Sequence, residues 1–91
     1  MKVIWSPAAR TDLEEVWRYI AADSVNAATV VENRIIDAVD GLSVFPETGR
    51  RLRSGLRQFV VARTRYLIIY RVKADHVEIA RVWHGAREPL A

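Results

Sequence analysis

Arg65-Tyr66-Leu67-Ile68-Ile69-Tyr70-Arg71-Val72 is apolar at nearly every position and rich in β-branched and aromatic side chains. That pattern predicts a central strand covered on both faces. Next in the chain, His76-Val77-Glu78-Ile79-Ala80-Arg81-Val82-Trp83 alternates, which predicts a neighbouring strand with Val77, Ile79, Arg81 and Trp83 on one face. Lys73-Ala74-Asp75 between them reads as a hairpin turn, although it lacks the usual glycine. On the other side, Leu56 to Ala62 (LRQFVVA) predicts a further strand.

Working toward the N-terminus, the period changes. Ala28, Val31, Ile35, Val39 and Leu42 recur at spacings of three and four, which predicts a helix beginning near Ser24 to Asn26. Pro46 and Gly49 stop it in a turn. Ala9, Leu13, Val16, Trp17 and Ile20 form a second apolar stripe, with Asp12, Glu14, Glu15 and Arg18 read as lying off it. Ser6 caps this helix, and Pro7 occupies the first helical position, where its missing N–H is not needed. Lys2 to Trp5 predicts a short first strand. The order β-α-α-β-β-β points to an α+β fold: one small domain over residues 1–91, with an N-terminal helical hairpin packed on one face of an antiparallel sheet and strand 1 at its edge.

With 91 residues, the chain buries only roughly 60–65% of its unfolded surface, so its core is thin. It contains no cysteine, which excludes disulfides, thiolate zinc sites and cysteine nucleophiles and fits a reducing compartment. MKVIWSPAAR is not patterned as a signal peptide, and no run approaches the length of a membrane span. These features predict a soluble cytoplasmic protein. The net charge of +3 is unevenly spread. Residues 1–49 carry four bases and eight acids, whereas residues 50–74 carry eight bases and no acid. Seven of those eight are arginines (Arg50, Arg51, Arg53, Arg57, Arg63, Arg65 and Arg71), whose planar fork suits carboxylates and phosphates. The stretch predicts a surface that meets an acidic protein or a nucleic acid.

Few constellations support chemistry. His76 and His84 are eight apart without HExxH spacing, so no metal and no other cofactor is expected. The glycines form no phosphate loop, and there is no GxSxG. Metal-free RNA cleavage needs a base, a cation on the crowded phosphate and an acid for the leaving oxygen. Arg63, Arg65, Arg81 and His84 are the candidates for those roles. Strand parity puts Arg81 and His84 on opposite faces unless the strand ends or bulges near Trp83. The plainer readings are an ion pair for Arg81, a backbone hydrogen bond for His84, packing roles for Tyr66 and Tyr70, and core positions for Trp5, Trp17 and Trp83.

In order and spacing, the chain resembles the ParE/RelE superfamily of toxins from type II toxin–antitoxin systems. The resemblance is carried by Trp5-Ser6-Pro7-Ala8-Ala9, Asp12-Leu13, Tyr19-Ile20, Asn26-Ala27-Ala28, Leu42, Phe45-Pro46, Gly49-Arg50, Tyr66 to Arg71, Val77-Glu78-Ile79, Arg81-Val82 and His84. It implies the fold just described and a hetero-oligomer with a cognate antitoxin whose C-terminal segment wraps the toxin. A basic domain with apolar surfaces suits an acidic antitoxin segment that folds on binding. The superfamily divides by target: RelE-like members cut mRNA on the ribosome, and ParE-like members poison DNA gyrase. The ribonucleases carry an arginine where this chain has Leu67, and a late tyrosine that has no counterpart after Tyr70. The resemblance is therefore closer to the ParE branch, which implies a gyrase inhibitor with no catalytic residue. Arg50, Arg51, Arg53, Arg57, Arg63, Arg65, Arg71, Arg81, His84 and Arg87 are then its target- or antitoxin-binding positions. The alternative is a ribosome-dependent endoribonuclease using Arg63, Arg65, Arg81 and His84.

Overall fold

Residues 1–87 are described by a computed structural model. The elements run β1 (Lys2–Trp5), α1 (Pro7–Ala21), α2 (Val25–Val44), β2 (Arg50–Arg51), a 3₁₀ turn (Arg53–Gly55), β3 (Arg57–Val60), β4 (Tyr66–Val72) and β5 (His76–His84). Both helices start as their sequences dictate. The Ser6 hydroxyl accepts the Ala9 N–H and the Ser24 hydroxyl accepts the Ala27 N–H, each satisfying a free donor of the first turn. Pro7 stands at the first helical position of α1.

The helical hairpin covers one face of a five-stranded sheet of order β1-β5-β4-β3-β2. β4 is central, and Ile68, Ile69 and Tyr70 are fully buried there. Its neighbours β3 and β5 are antiparallel to it. Two features differ from the sequence reading. β1 runs parallel to β5, with Lys2 opposite His76 and Trp5 opposite Ile79, so the sheet is mixed. This direction delivers the chain to the start of α1 beside the middle of β5, where Ser6 N–H donates to the Ile79 carbonyl. The second difference is β2, a two-residue strand paired with Arg57 and Gln58. Two residues are too few to show any periodicity.

β5 contains the decisive irregularity. Ile69 pairs with Arg81 but Tyr70 pairs with Ile79, leaving Ala80 as an extra residue in a bulge. The bulge reverses which side chains face the helices. Val77 and Ile79 enter the core before it, and Val82 enters after it. The expected single face of Val77, Ile79, Arg81 and Trp83 is thus split: Arg81 and Trp83 stand on the opposite phase. The Ser6 hydroxyl donates to the Ala80 carbonyl at 2.8 Å, so the start of α1 is bonded to the bulge itself.

Ala9 and Val16 of α1, and Ala28, Ile35, Val39 and Leu42 of α2, form the helical side of the core, with Leu13, Ile20 and Val31 packed against it. No helix among the described residues is long and apolar enough to cross a membrane.

Candidate functional site

Three surface features draw on the side chains singled out by sequence. The first begins with an acid. Asp12 sits on α1 at the spacing Ala9, Asp12, Val16, and all three are buried. β1 ends opposite Ile79, so the edge of β5 away from β4 has no strand beside it further on. Asp12 fills that gap. Its carboxylate accepts Val82 N–H at 3.0 Å, Arg81 Nε at 2.7 Å and Arg81 Nη2 at 2.9 Å. The reading of Asp12 as lying off the apolar stripe is therefore corrected: it is on the buried face because it carries three donors there. Arg81 is held charged, its pKa raised first by the hydrogen bond to Asp12.

Beyond this pair lies a groove of about 400 Å³ between α1 and the end of β5, lined by Glu15, Tyr19, Tyr66, His84 and Arg87 among others. Tyr66 and His84 are cross-strand partners in edge-to-face contact, with ring centroids 5.2 Å apart. His84 Nδ1 accepts the Ala86 N–H at 3.1 Å, which leaves the proton of the neutral ring on Nε2. Tyr66 has its pKa raised, chiefly by burial and then by Tyr19, with Arg87 opposing. It is a protonated phenol at neutral pH and can donate but not act as a base. The guanidinium carbons of Arg81 and Arg87 stand 5.0 and 4.9 Å from the Trp83 ring centroid. Trp83, expected in the core, is half-buried and carries these cations.

The second feature is a notch of about 480 Å³ at the other end of β3, lined by Arg51, Arg57, Leu52, Gly55, Leu56 and Glu47 among others. Arg57 Nη1 donates to the carbonyls of Glu47 and Gly49. Arg71 donates to the Ser54 carbonyl and approaches Glu78 at 4.0 Å. Tyr70 fixes the turn leading into the notch: its hydroxyl donates to the Pro46 carbonyl and accepts the Gly49 N–H, both at 2.8 Å. A Cβ on Gly49 would stand 2.4 Å from that hydroxyl, so only glycine fits.

The third feature is an apolar groove of about 320 Å³ between α2 and β3, with Ala38, Gly41, Phe45 and Phe59 in its walls. Phe45 is 69% exposed. Arg34, one turn before Ala38, donates to the Arg63 carbonyl at 3.1 Å.

The expected arginines therefore divide. Arg50, Arg51, Arg53, Arg57 and Arg71 gather near the start of β3 and the end of β4. Arg63 and Arg65 lie in the β3–β4 loop at the opposite end. There the Arg65 carbonyl accepts Gly85 N–H, next to His84. Arg81 faces Asp12 and Trp83, while His84 lines the α1 groove, so the bulge at Ala80 does not unite them. His76, at the start of β5, bonds the Asp75 carboxylate instead. Sequence reasoning missed Asp12, whose placement three residues from Ala9 and four from Val16 was the available signal.

The family model for the ParE toxin of the type II toxin–antitoxin system, parDE, matches residues 3–89. The chain is 38% identical over 89 residues to protein Y4kP of Sinorhizobium fredii, covering 96% of this chain and 91% of that one. It is 37% identical over 86 residues to a Caulobacter vibrioides protein named Toxin RelE2, covering 94% and 97%. Its fold matches a solved chain described as the chromosomal ParDE TA system from P. aeruginosa, with a TM-score of 0.81, 23% identity, and coverage of 92% of this chain and 95% of that one.

Proposed function

Because this chain belongs to the ParE toxin family of type II toxin–antitoxin systems, we propose that it inhibits DNA gyrase by binding and is neutralised by a cognate antitoxin. The observation that carries the choice of gyrase is the Asp12–Arg81 pair. RNA cleavage requires a cation, a base and an acid converging on one phosphate. Arg81, three residues before His84, is committed to Asp12 by two hydrogen bonds and to the ring of Trp83, and Arg87, three residues after it, stands against the same ring. The arginine absent at Leu67 has no replacement from Arg81. What is left exposed is a set of binding surfaces.

The antitoxin segment is acidic and amphipathic and folds on docking. Its apolar side chains occupy the groove walled by Ala38, Gly41, Phe45 and Phe59, and its carboxylates meet Arg34 and the arginines of the 50–71 stretch.

A second reading is supported by the groove beside α1, where His84, Tyr66 and Arg87 meet, and by the name of the Caulobacter relative. In this reading His84 Nε2–H and Arg87 hold the phosphate, the Tyr66 phenol protonates the leaving oxygen, and a ribosomal group takes the 2′-hydroxyl proton in ribosome-dependent mRNA cleavage. Purified toxin tested in parallel for inhibition of gyrase supercoiling and for ribosome-dependent cleavage separates the two. Inhibited supercoiling with intact mRNA is expected. Ribosome-dependent cuts with unaffected supercoiling would reverse the assignment.

A further inference from the structure

We propose that the arginine notch beside the 3₁₀ turn binds the phosphate backbone of duplex DNA. Arg51 and Arg57 are direct partners in the β2–β3 ladder, so two guanidinium groups leave neighbouring strands side by side. Like charges directly opposite in a sheet repel. Among the described residues, neither arginine has a carboxylate within 4.0 Å. Glu47 lines the notch, but its bond to Arg57 runs through its backbone carbonyl. An anion placed between the two forks removes this repulsion.

The notch is also shaped in advance. Leu52 N–H donates to the Leu56 carbonyl at 2.8 Å, closing the loop that carries Arg53. Ser54 and Gly55 turn the chain there with φ of 62° and 75°. The two bonds of Arg57 Nη1, one of Arg71 and two of the Tyr70 hydroxyl hold the surrounding backbone. The Nε and Nη2 groups of Arg57 have no acceptor among the described residues, so a fork is left to meet an oxyanion. Exposed Arg53, in the 3₁₀ turn beside the notch, adds positive charge.

The chemistry selects the occupant. The lining side chains include no aromatic ring, so there is no platform on which unpaired bases can stack, as single-stranded RNA requires. Leu52, Leu56 and Val72 also line the notch, but the aromatic walls that would anchor an amphipathic peptide, Phe45 and Phe59, lie in the α2–β3 groove. A continuous line of phosphates fits a row of forks and needs no base contact. This inference rests on the gyrase reading for its setting, since gyrase acts on duplex DNA, and it adds a contact to the DNA itself.

The test uses the full chain and a labelled DNA duplex of arbitrary sequence, without gyrase, in fluorescence anisotropy at increasing salt. The expected result is salt-dependent binding that Arg51→Gln weakens about tenfold, with the log–log salt slope reduced by about one. Arg51→Lys should keep the slope, and Arg10→Gln, an exposed cation on α1, should change neither quantity. Arg51 is exposed and its side chain makes no bond among the described residues, so the variant folds. No duplex binding at low salt, binding insensitive to Arg51→Gln, binding lost on Arg10→Gln, or displacement of the duplex by single-stranded RNA at equal phosphate concentration would each overturn the proposal. Because gyrase is absent, this measurement can fail while the supercoiling assay succeeds, and the reverse.

Discussion

Asp12 and Arg81 join across 69 positions of sequence through two hydrogen bonds, and the same carboxylate holds the Val82 N–H. One side chain thus closes the part of β5 that β1 leaves uncovered, and it holds Arg81 apart from the groove that His84 and Arg87 line. Asp12→Ala strands a half-buried guanidinium and a backbone donor. A loss of about 2–4 kcal/mol is expected. In a domain of this size each kcal/mol lowers Tm by about 4–8 °C. Denaturant unfolding checks this, and a variant as stable as the parent refutes it.

Tyr70→Phe removes the hydroxyl that serves both Gly49 N–H and the Pro46 carbonyl. Leaving these groups without their partner is expected to cost about 1–3 kcal/mol.

The Tyr70 phenol also sets a pH dependence. Burial raises its pKa, with the Gly49 hydrogen bond and Arg57 opposing. The folded value exceeds the unfolded value near 10. The associated stability is therefore fully present below about pH 10 and is lost as pH rises through the folded value. Tyr66 shifts in the same direction. Unfolding followed from pH 9 to 11.5 (a range of about 2.5 units around the phenol value) should show a smaller alkaline loss for Tyr70→Phe than for the parent.

Gly49→Ala places a methyl group 2.4 Å from the Tyr70 hydroxyl and 2.9 Å from the Gln58 carbonyl oxygen. Overpacking of this kind costs about 1–3 kcal/mol. Adding Tyr70→Phe should recover part of the loss, because the nearest of three obstructing atoms disappears while the ring carbon Cε1 at 2.7 Å and the Gln58 carbonyl remain. Strictly additive losses in the double variant would show that the two residues do not collide.

His84→Ala separates the two functional readings. Toxicity and inhibition of supercoiling that survive the change count against the ribonuclease, with a stability change of about 1 kcal/mol or less from the lost edge contact with Tyr66. A ribonuclease centred on His84 loses toxicity while remaining folded. Growth arrest on expression without antitoxin, measured beside the melting curve, decides between them.

Phe45→Asp tests the antitoxin groove. The side chain is 69% exposed, so folding should be little affected, whereas a charge in an apolar docking groove should weaken the antitoxin at least tenfold. Unchanged copurification with the antitoxin would place its segment elsewhere.

Most of the fold was legible in the chain. Ser6-Pro7 and Ser24 start helices because a hydroxyl cap and a proline act within one turn, and the stripe Ala28, Ile35, Val39, Leu42 marks the buried face because a helix repeats every 3.6 residues. The apolar run at Tyr66–Val72 identifies the central strand for the same local reason. The candidate site was less legible. The arginines of residues 50–71 share one acid-free stretch of sequence but lie at two ends of β3, since strand direction separates what the sequence lists together.

The chain by itself determined its helices, its central strands, its concentration of arginine and its family likeness, all of which depend on periods and neighbours a few residues apart. Tertiary structure alone decided that Ala80 forms a bulge, that Arg81 turns to Asp12 while His84 turns to Tyr66, and that Arg51 faces Arg57. A bulge is one residue in register between two strands, and a bond across 69 positions depends on where two distant elements dock. Neither leaves a periodic trace in the residues that make it.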